Sequence, residues 1–388
     1  MEKHTFDRQV VLLGNPGTKR TIYLGHAAKE VGLHVLFLDW KQWMEGQLED
    51  VAGDFYLKID PPQWDSCDLG QQQELVESYR QQLMNLALLG RFSGVNPEVS
   101  AKQPGGGIRP AKQSLFLGQG CGKLEFFNHP EDIAALLDKE GCKRKLMEAG
   151  LAVTEFLDPT ASVHQGHTKI RTSSQLLEVM REKRVFQVFL KPVCGSGAAG
   201  VGAFRFQPGT GKMALYTCAM KSSSSLSLVN TKQLRCFREP GQVCALLDQL
   251  LASDCVAERW YAKADHQGFA YDLRAVVQEG RMDFLLARLS KGPVTNLHLN
   301  NHPLEARELK LPDRVLDQVE ELCCAAAALY PRLNSIGIDV LLERGSLKPR
   351  IIEMNGQGDL IYQDIYHQNR IYRHQAEMMK AWMKRPCR

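Results

Sequence analysis

The first forty residues alternate short apolar runs with polar turns. Residues 10–14 form a continuous apolar run that ends at the turn residues 15–17. Apolar side chains then recur at helical spacing from about residue 20 to residue 32, and a second apolar run covers residues 34–40. A strand, a helix and a strand joined by short links make a βαβ unit, which predicts a parallel sheet at the start of the chain.

The middle of the chain combines a long polar interruption with a hairpin. Residues 92–125 are rich in Gly, Pro and Ser, which favours a linker or a loop that covers a substrate. Apolar spacing predicts helices over 70–90 and within 130–150. It then predicts a helix, a strand, a glycine-rich tip and a return strand over 174–183, 185–191, 194–200 and 201–206.

The last third of the chain has the pattern of an antiparallel sheet with one covering helix. The helix is predicted over 313–329, and strands are predicted over 254–260, 271–279, 282–290, 336–342 and 350–354. A basic segment with an apolar side, from residue 369 to residue 388, predicts a closing helix.

Composition narrows the class of protein. The 388 residues are 44% hydrophobic and 24% charged, and the net charge of +4 gives no reason to expect a nucleic-acid partner. No apolar run approaches the length of a membrane-spanning helix, so no membrane partner is expected. Eleven scattered cysteines without a Cys-x-x-Cys pair indicate reduced thiols and a cytoplasmic location.

A lysine followed by a glycine loop is the first candidate for chemistry. The predicted strand delivers Lys191, and the loop Cys194-Gly195-Ser196-Gly197-Ala198-Ala199-Gly200 follows it. Binding of phosphates requires a cation and backbone N–H groups that only small residues let come close. An ordinary hairpin tip with an exposed lysine would produce the same pattern, so this segment alone leaves both interpretations open.

A pair of apolar strands carries the second candidate. Asp339 interrupts the first strand, and Glu353 and Asn355 leave one face of the second because they are two residues apart. Two carboxylates and an amide oxygen suit Mg²⁺. A third candidate pairs Arg274 and Arg288 on successive strands, where arginine could bind phosphoryl oxygens, although surface salt bridges remain an alternative.

The three pieces in this order resemble the ATP-grasp superfamily, specifically its RimK-like, glutathione-synthetase-like ligase branch in a bacterial subfamily. The likeness covers roughly residues 133–365. It implies a mixed α/β fold in which an N-terminal βαβ domain precedes two lobes, with the nucleotide between two antiparallel sheets. The implied parts are a βαβ domain with its loop (1–125), a lid (126–257) and a core with the metal site and closing helix (258–388).

The resemblance also implies roles for individual residues. Lys139 and Lys191 resemble the two ATP lysines, and Glu258, Arg259 and Trp260 resemble the hinge that holds adenine. The nucleotide-binding set is completed by Gly195, Ser196, Gly197, Gly200, Asp272 and Asn296. Lys191, Arg274 and Arg288 are the implied catalytic residues, and Asp339, Glu353 and Asn355 are the implied metal ligands. The family usually ends its last motif Asn-x-x-Pro-Gly, whereas this chain has Asn355-Gly356-Gln357-Gly358-Asp359.

The activity implied by the resemblance is an ADP-forming ligase that joins a carboxylate to an amine through an acyl phosphate. ATP and Mg²⁺ are the implied cofactors, with two ions expected and Mn²⁺ as an alternative. The expected partners are a small molecule, an amino acid or a peptide, and a second copy of the chain in a homodimer. A phosphotransferase on the same fold and a non-catalytic ATP-binding module remain alternatives.

Overall fold

A computed structural model describes nine stretches of the chain. These are residues 8–45, 53–63, 66–92, 121–158, 169–195, 198–221, 227–299, 301–357 and 369–385. Most of the Gly- and Pro-rich interruption predicted from the sequence, residues 93–120, lies outside them. No helix among the described residues has the length and apolar character needed to cross a membrane.

A parallel sheet begins the fold, as the βαβ pattern predicts. Its strands are β1 (Arg8–Gly14), β2 (Val35–Asp39), β3 (Gly53–Ile59) and β4 (Cys121–Phe126), in the order β2-β1-β3-β4. Three helices accompany it: α1 (Lys19–Glu30), α2 (Trp40–Glu45) and α3 (Leu69–Phe92). The side chain of Thr18 accepts a hydrogen bond from Thr21 N and caps α1, so the chain turns from β1 into a helix within five residues.

A five-stranded antiparallel sheet forms the middle of the fold. Its strands are β5 (Gln187–Pro192), β6 (Gly202–Gln207), β7 (Lys212–Lys221), β8 (Leu228–Phe237) and β9 (Cys255–Arg259), in the order β8-β7-β6-β5-β9. Two short helices, α4 (Pro130–Leu137) and α5 (Lys139–Glu148), precede it, and α6 (Ser173–Glu182) and α7 (Pro240–Ala252) share its apolar core.

A six-stranded antiparallel sheet follows. Its strands are β10 (Asp265–His266), β11 (Phe269–Gln278), β12 (Arg281–Ser290), β13 (His302–Glu305), β14 (Ser335–Leu342) and β15 (Pro349–Asn355). The order is β13-β12-β11-β14-β15, with β10 beside β11. Helix α8 (Asp313–Ala328) buries Val319, Cys323 and Ala326 in the same core as β14, as its apolar spacing predicts.

The closing helix α9 (Arg370–Met383) packs against the first sheet. Its residues Tyr372, Met379 and Trp382 belong to one apolar cluster with Val10 in β1. The Trp382 ring also stacks on the Tyr56 ring of β3 at 4.8 Å. The last described helix therefore packs on the sheet that the first described strands form.

The loop between β5 and β6 requires a glycine at position 200, and this requirement can be tested. Gly200 has φ +69°, and a Cβ atom there would lie 2.9 Å from Pro192 Cγ. Alanine at this position is expected to lower the free energy of unfolding by about 1–2 kcal/mol, because an L-residue is strained at such a φ. Gly209→Ala is the control, because its Cβ meets nothing within 4 Å. Equal stability of the two variants in urea titrations would contradict the requirement.

Candidate functional site

One cavity is lined by residues of both antiparallel sheets and of the helices before them. It contains twelve of the residues singled out in the sequence: Lys139, Lys191, Gly195, Glu258, Arg259, Asp272, Arg274, Arg288, Asn296, Asp339, Glu353 and Asn355. Trp260 and Gly200 are described but do not line it. Ser196 and Gly197 lie outside the described residues. Side chains that are far apart in the sequence thus meet in one place.

The β14–β15 hairpin brings the predicted metal ligands together. Asp339 lies directly opposite Glu353, and Asn355 lies opposite Gly337, two residues along the same ladder. Directly opposed residues share a face of the sheet, and residues two apart on a strand share it too. The three side chains therefore leave the hairpin on the cavity side, while Ile338 is fully buried on the other side.

The oxygen atoms on this face fit a hard cation. Asp339 Oδ1 is buried and accepts no hydrogen bond within the described part of the chain, although Arg274 Nε lies 3.0 Å away. Among the described residues no group of three or more His, Cys, Asp and Glu is arranged for a metal. A Mg²⁺ ion would therefore depend on Asp339 and Glu353, on the amide oxygen of Asn355, and on oxygens brought by a ligand.

Asp272 is at the centre of one buried ion network. Its Oδ1 accepts a hydrogen bond from Arg288 Nε at 2.7 Å, and its Oδ2 accepts one from Thr295 Oγ1 and lies 3.3 Å from Lys263 Nζ. Arg288 Nη2 also lies 2.9 Å from Asp339 Oδ2. Burial would raise the pKa of Asp272, but Arg288 and Lys263 outweigh it and lower that pKa. Arg288 is thus held between two carboxylates, one on β11 and one on β14.

Glu258 is at the centre of a second buried network. Its Oε2 accepts hydrogen bonds from Lys191 Nζ at 2.9 Å and from Thr154 Oγ1 at 2.7 Å, while its Oε1 pairs with Lys143 Nζ. Lys143 Nζ in turn donates to Thr154 Oγ1 at 2.7 Å. The Glu258 carboxylate therefore points at lysines, and its position fixes that of Lys191.

Opposing charges set the protonation of this second network. Burial would raise the pKa of Glu258, but the ammonium groups of Lys143 and Lys191 hold it at about 2. Burial lowers the pKa of Lys143 to about 8. Burial also lowers the pKa of Lys191, but Glu258 and Glu353 reverse the effect and raise it above its ordinary value. Lys191 consequently remains a cation in the cavity at neutral pH.

Lys139 links the start of helix α5 to the glycine loop that follows β5. It is the first residue of α5, which the Asp138 side chain caps, and its Nζ donates a hydrogen bond to Gly195 O at 2.7 Å. Its backbone N–H also donates to Val193 O at 3.0 Å. The end of β5 and the start of α5 are thereby joined, which places Lys139 and Lys191 in the same wall of the cavity.

The three residues of the predicted hinge point their side chains in different directions. Glu258 faces the cavity and is buried, whereas Arg259 is exposed. Trp260 lies outside the cavity wall, and its ring packs at 5.3 Å from Phe189 and 6.3 Å from Tyr216. Trp260 therefore packs against β5 and β7 and does not line the cavity.

Sequence reasoning missed three cations of the site. Lys143 and Lys263 are almost fully buried in the two networks, and Arg20 lines the cavity from the first turn of α1. Lys143 gave one signal, since it stands four residues after Lys139 and so shares its helix face. Lys263 and Arg20 gave none, because their surroundings come from distant parts of the chain.

Comparison with solved structures identifies the fold. The ATP-grasp ligase PsnB, complexed with minimal precursor, Mg and ADP, matches with a TM-score of 0.53 and 15% identity over 97% of this chain and 98% of that chain. The macrocyclase MdnC from Microcystis aeruginosa, bound with precursor peptide MdnA, matches with a TM-score of 0.53 and 12% identity over 96% and 100%. D-cycloserine synthetase DcsG gives 0.53 and 11% over 97% and 100%.

These matches run over nearly the whole of each chain, so they concern the complete arrangement of three sheets. No protein-family model and no curated protein sequence matches this chain. The predicted α/β architecture, with a parallel sheet followed by two antiparallel sheets, is confirmed by the order of the strands. The fold of this chain is that of the ATP-grasp ligases.

Proposed function

We propose that this protein is an ATP- and Mg²⁺-dependent ligase that joins a carboxylate to an amine, within the RimK-like branch of ATP-grasp enzymes. The observation that supports it is the composition of the cavity. Three cations, Lys139, Lys191 and Arg288, face a carboxylate pair, Asp339 and Glu353, in one enclosure. Such an enclosure suits a nucleoside triphosphate with its metal, because the cations match the phosphates and the carboxylates match the ion.

The reaction has two balanced steps. An oxygen of the substrate carboxylate attacks the γ-phosphorus of ATP. The bond between the γ-phosphorus and the oxygen that bridges it to the β-phosphate breaks, which gives an acyl phosphate and releases ADP. The amine then attacks the acyl carbon, inorganic phosphate leaves with the electron pair of the broken C–O bond, and the amine nitrogen loses a proton to solvent. The net change is an amide bond for one ATP hydrolysed to ADP and phosphate.

The chain's own residues contribute position and charge. Lys139 and Lys191 neutralise the nucleotide phosphates from one wall, and Arg288, held by Asp272 and Asp339, presents a fixed cation to the transferred group. Mg²⁺, when held by Asp339, Glu353 and Asn355, adds further charge neutralisation at the phosphates. The walls of the cavity, which both antiparallel sheets form, limit contact of the acyl phosphate with water.

A trapping experiment tests this function. The purified protein is incubated with ATP, Mg²⁺, hydroxylamine and a pool of carboxylic acids, and hydroxamates and ADP are measured by mass spectrometry. Hydroxamate and ADP in equal amounts are expected, because hydroxylamine replaces the amine. A stable phosphorylated product without hydroxamate would indicate a phosphotransferase. Nucleotide binding without turnover would indicate a binding module.

The proposed role of Lys191 at the phosphates predicts a change in ADP affinity. Lys191→Ala is expected to weaken ADP binding about tenfold or more in calorimetry, because it removes a buried charge-assisted contact to phosphate. Lys212→Ala is the control, since Lys212 is exposed at the start of β7. Unchanged affinity of the Lys191 variant would refute its phosphate role.

A further inference from the structure

Part of the cavity lining is apolar and comes from the N-terminal sheet and from helices α3 and α4. Six residues form this apolar compartment: Pro61, Val76, Tyr79, Ile133, Leu136 and Leu137. They come from the carboxyl end of β3, from α3 and from α4. Val76 and Tyr79 are three apart on α3 and therefore share one helix face. The N-terminal sheet and its helix thus take part in the same enclosure as the charged residues.

The apolar compartment adjoins the metal-side hairpin directly. A Cβ atom on Gly356, the residue after Asn355, would lie 3.1 Å from Ile133 Cα and 3.5 Å from Leu136 Cδ1. The next residue, Gln357, donates from Nε2 to Ile59 O at 2.8 Å. The end of β15 therefore rests on the compartment, within two residues of the amide that would bind the metal.

Arg20 stands at the boundary between the two regions. It lines the cavity, and its Nη1 donates a hydrogen bond to Gln357 O at 2.9 Å. Tyr79 is buried beside Gln357 and Arg20, and burial raises its pKa, so that its phenol stays neutral. The Arg20 guanidinium therefore places a cationic group with several N–H donors at the end of an otherwise apolar wall.

The nucleotide does not account for this compartment. Around the hinge the cavity has a separate apolar lining of Phe189, Tyr261, Leu341 and Ile352, which suits a flat base. The charged residues that suit the phosphates and their metal lie on β5, β12, β14 and β15 and at the start of α5. A nucleotide that fills these two regions leaves the N-terminal wall for the second ligand of the cavity.

We propose that the apolar compartment binds the carboxylate substrate, and that this substrate is an acid with an aromatic or branched apolar body. Arg20 binds its carboxylate at the boundary, where the γ-phosphate would be presented, and the apolar body packs between α3 and α4. This inference rests on the proposed function, because it takes the charged region to be the nucleotide site.

Calorimetry with three small probes tests the assignment. In the presence of ADP and Mg²⁺, 3-phenylpropionate is expected to bind about tenfold or more tightly than propionate, which lacks the apolar body. It is also expected to bind about tenfold more tightly than 3-phenylpropanamide, which lacks the charge. Binding of none of the three at 20 mM, or equal binding of 3-phenylpropionate and propionate, would overturn the proposal.

Matched variants locate the binding. Arg20→Gln is expected to reduce the affinity for 3-phenylpropionate to that for the amide, whereas Lys19→Gln, an exposed residue of the same helical turn, leaves it unchanged. Val76→Trp is expected to block the compartment, and Leu75→Trp, 38% exposed on the same helix, is its control. Leu137→Trp, at a half-buried position, gives a second blocking variant should Val76→Trp unfold. Equal effects in variants and controls would overturn the assignment.

Nucleotide binding separates this proposal from the one on which it rests. If ADP with Mg²⁺ binds and 3-phenylpropionate does not, the apolar compartment is wrongly assigned while the nucleotide site stands. If ADP itself does not bind, the proposed function fails first. In both blocking variants, ADP affinity is expected to match that of the unmodified protein, because the compartment and the hinge lining come from different helices and strands.

Discussion

Glutamine in place of Glu353 is expected to lower Mg²⁺-dependent ATP turnover about 100-fold or more while the protein stays folded. Burial would raise the pKa of Glu353, but Lys139 and Lys191 outweigh it and lower that pKa, so the side chain is an anion at neutral pH. Glutamine keeps the shape and removes the charge that a metal requires. Loss of one charge stabiliser of a transition state costs about two to three orders of magnitude in rate.

The measurement is ADP release together with the affinity for ADP, each with and without Mg²⁺. In the Glu353 variant, Mg²⁺ is expected to improve ADP binding far less than in the unmodified protein. Glu343→Gln is the matched control, since it makes the same chemical change on the same hairpin, where Glu343 pairs with Arg350. If both variants keep the full effect of Mg²⁺, Glu353 is not a metal ligand.

The hairpin with the candidate metal ligands could be predicted because its signal is local. Ile338 and Val340 flank Asp339 and are fully buried, so the alternation of the strand alone places the aspartate on the opposite face. The short turn at Gly345 brings the second strand back beside the first, and the register puts Glu353 opposite Asp339. Two adjacent strands contain all the information that this part of the site needs.

Strands whose residues lack a clean period were harder to predict. Strand β3 was not predicted, because Lys58 and Asp60 interrupt its apolar pattern although they are buried as an ion pair. Strands β7 and β8 and helix α7 were missed as well. In β7, Ala214 and Ala219 have little strand preference, and Thr217 is fully buried because its hydroxyl donates to Val201 O.

The burial of these lysines cannot be predicted from the local sequence pattern. Lys143 lies in a helix whose sequence is as polar as any surface helix, and its burial follows from Glu258 and Thr154, which come from later parts of the chain. Burial of a charge is tolerated only with a partner. The burial of Lys143 can therefore be predicted only when its partner is known. The two ion networks therefore appear only once the sheets are assembled.

Removal of the Glu258 charge is expected to be the most destabilising of these changes. Glu258→Gln leaves Lys143 and Lys191 buried without a counter-charge, and loss of one partner of a buried pair costs about 3–5 kcal/mol of unfolding free energy. The pKa of about 2, against an ordinary 4.5, gives a similar figure of about 3 kcal/mol at about 1.4 kcal/mol per pKa unit. Urea titration at pH 7 measures the difference, with Glu155→Gln, an exposed residue, expected within about 0.5 kcal/mol of the unmodified protein.

A double-mutant cycle and the dependence on pH identify the cause. Adding Lys143→Met to Glu258→Gln removes one of the two unpaired charges, so the double variant is expected to be at least about 1 kcal/mol more stable than the sum of the single changes predicts. Because folding lowers the pKa of Glu258, its contribution is complete above pH 4.5 and is lost as the pH falls toward 2. The stability difference between the unmodified protein and Glu258→Gln should therefore shrink below pH 4.5. A difference that stays constant down to pH 3, with additive single changes, would show that lost packing and not lost charge destabilises the variant.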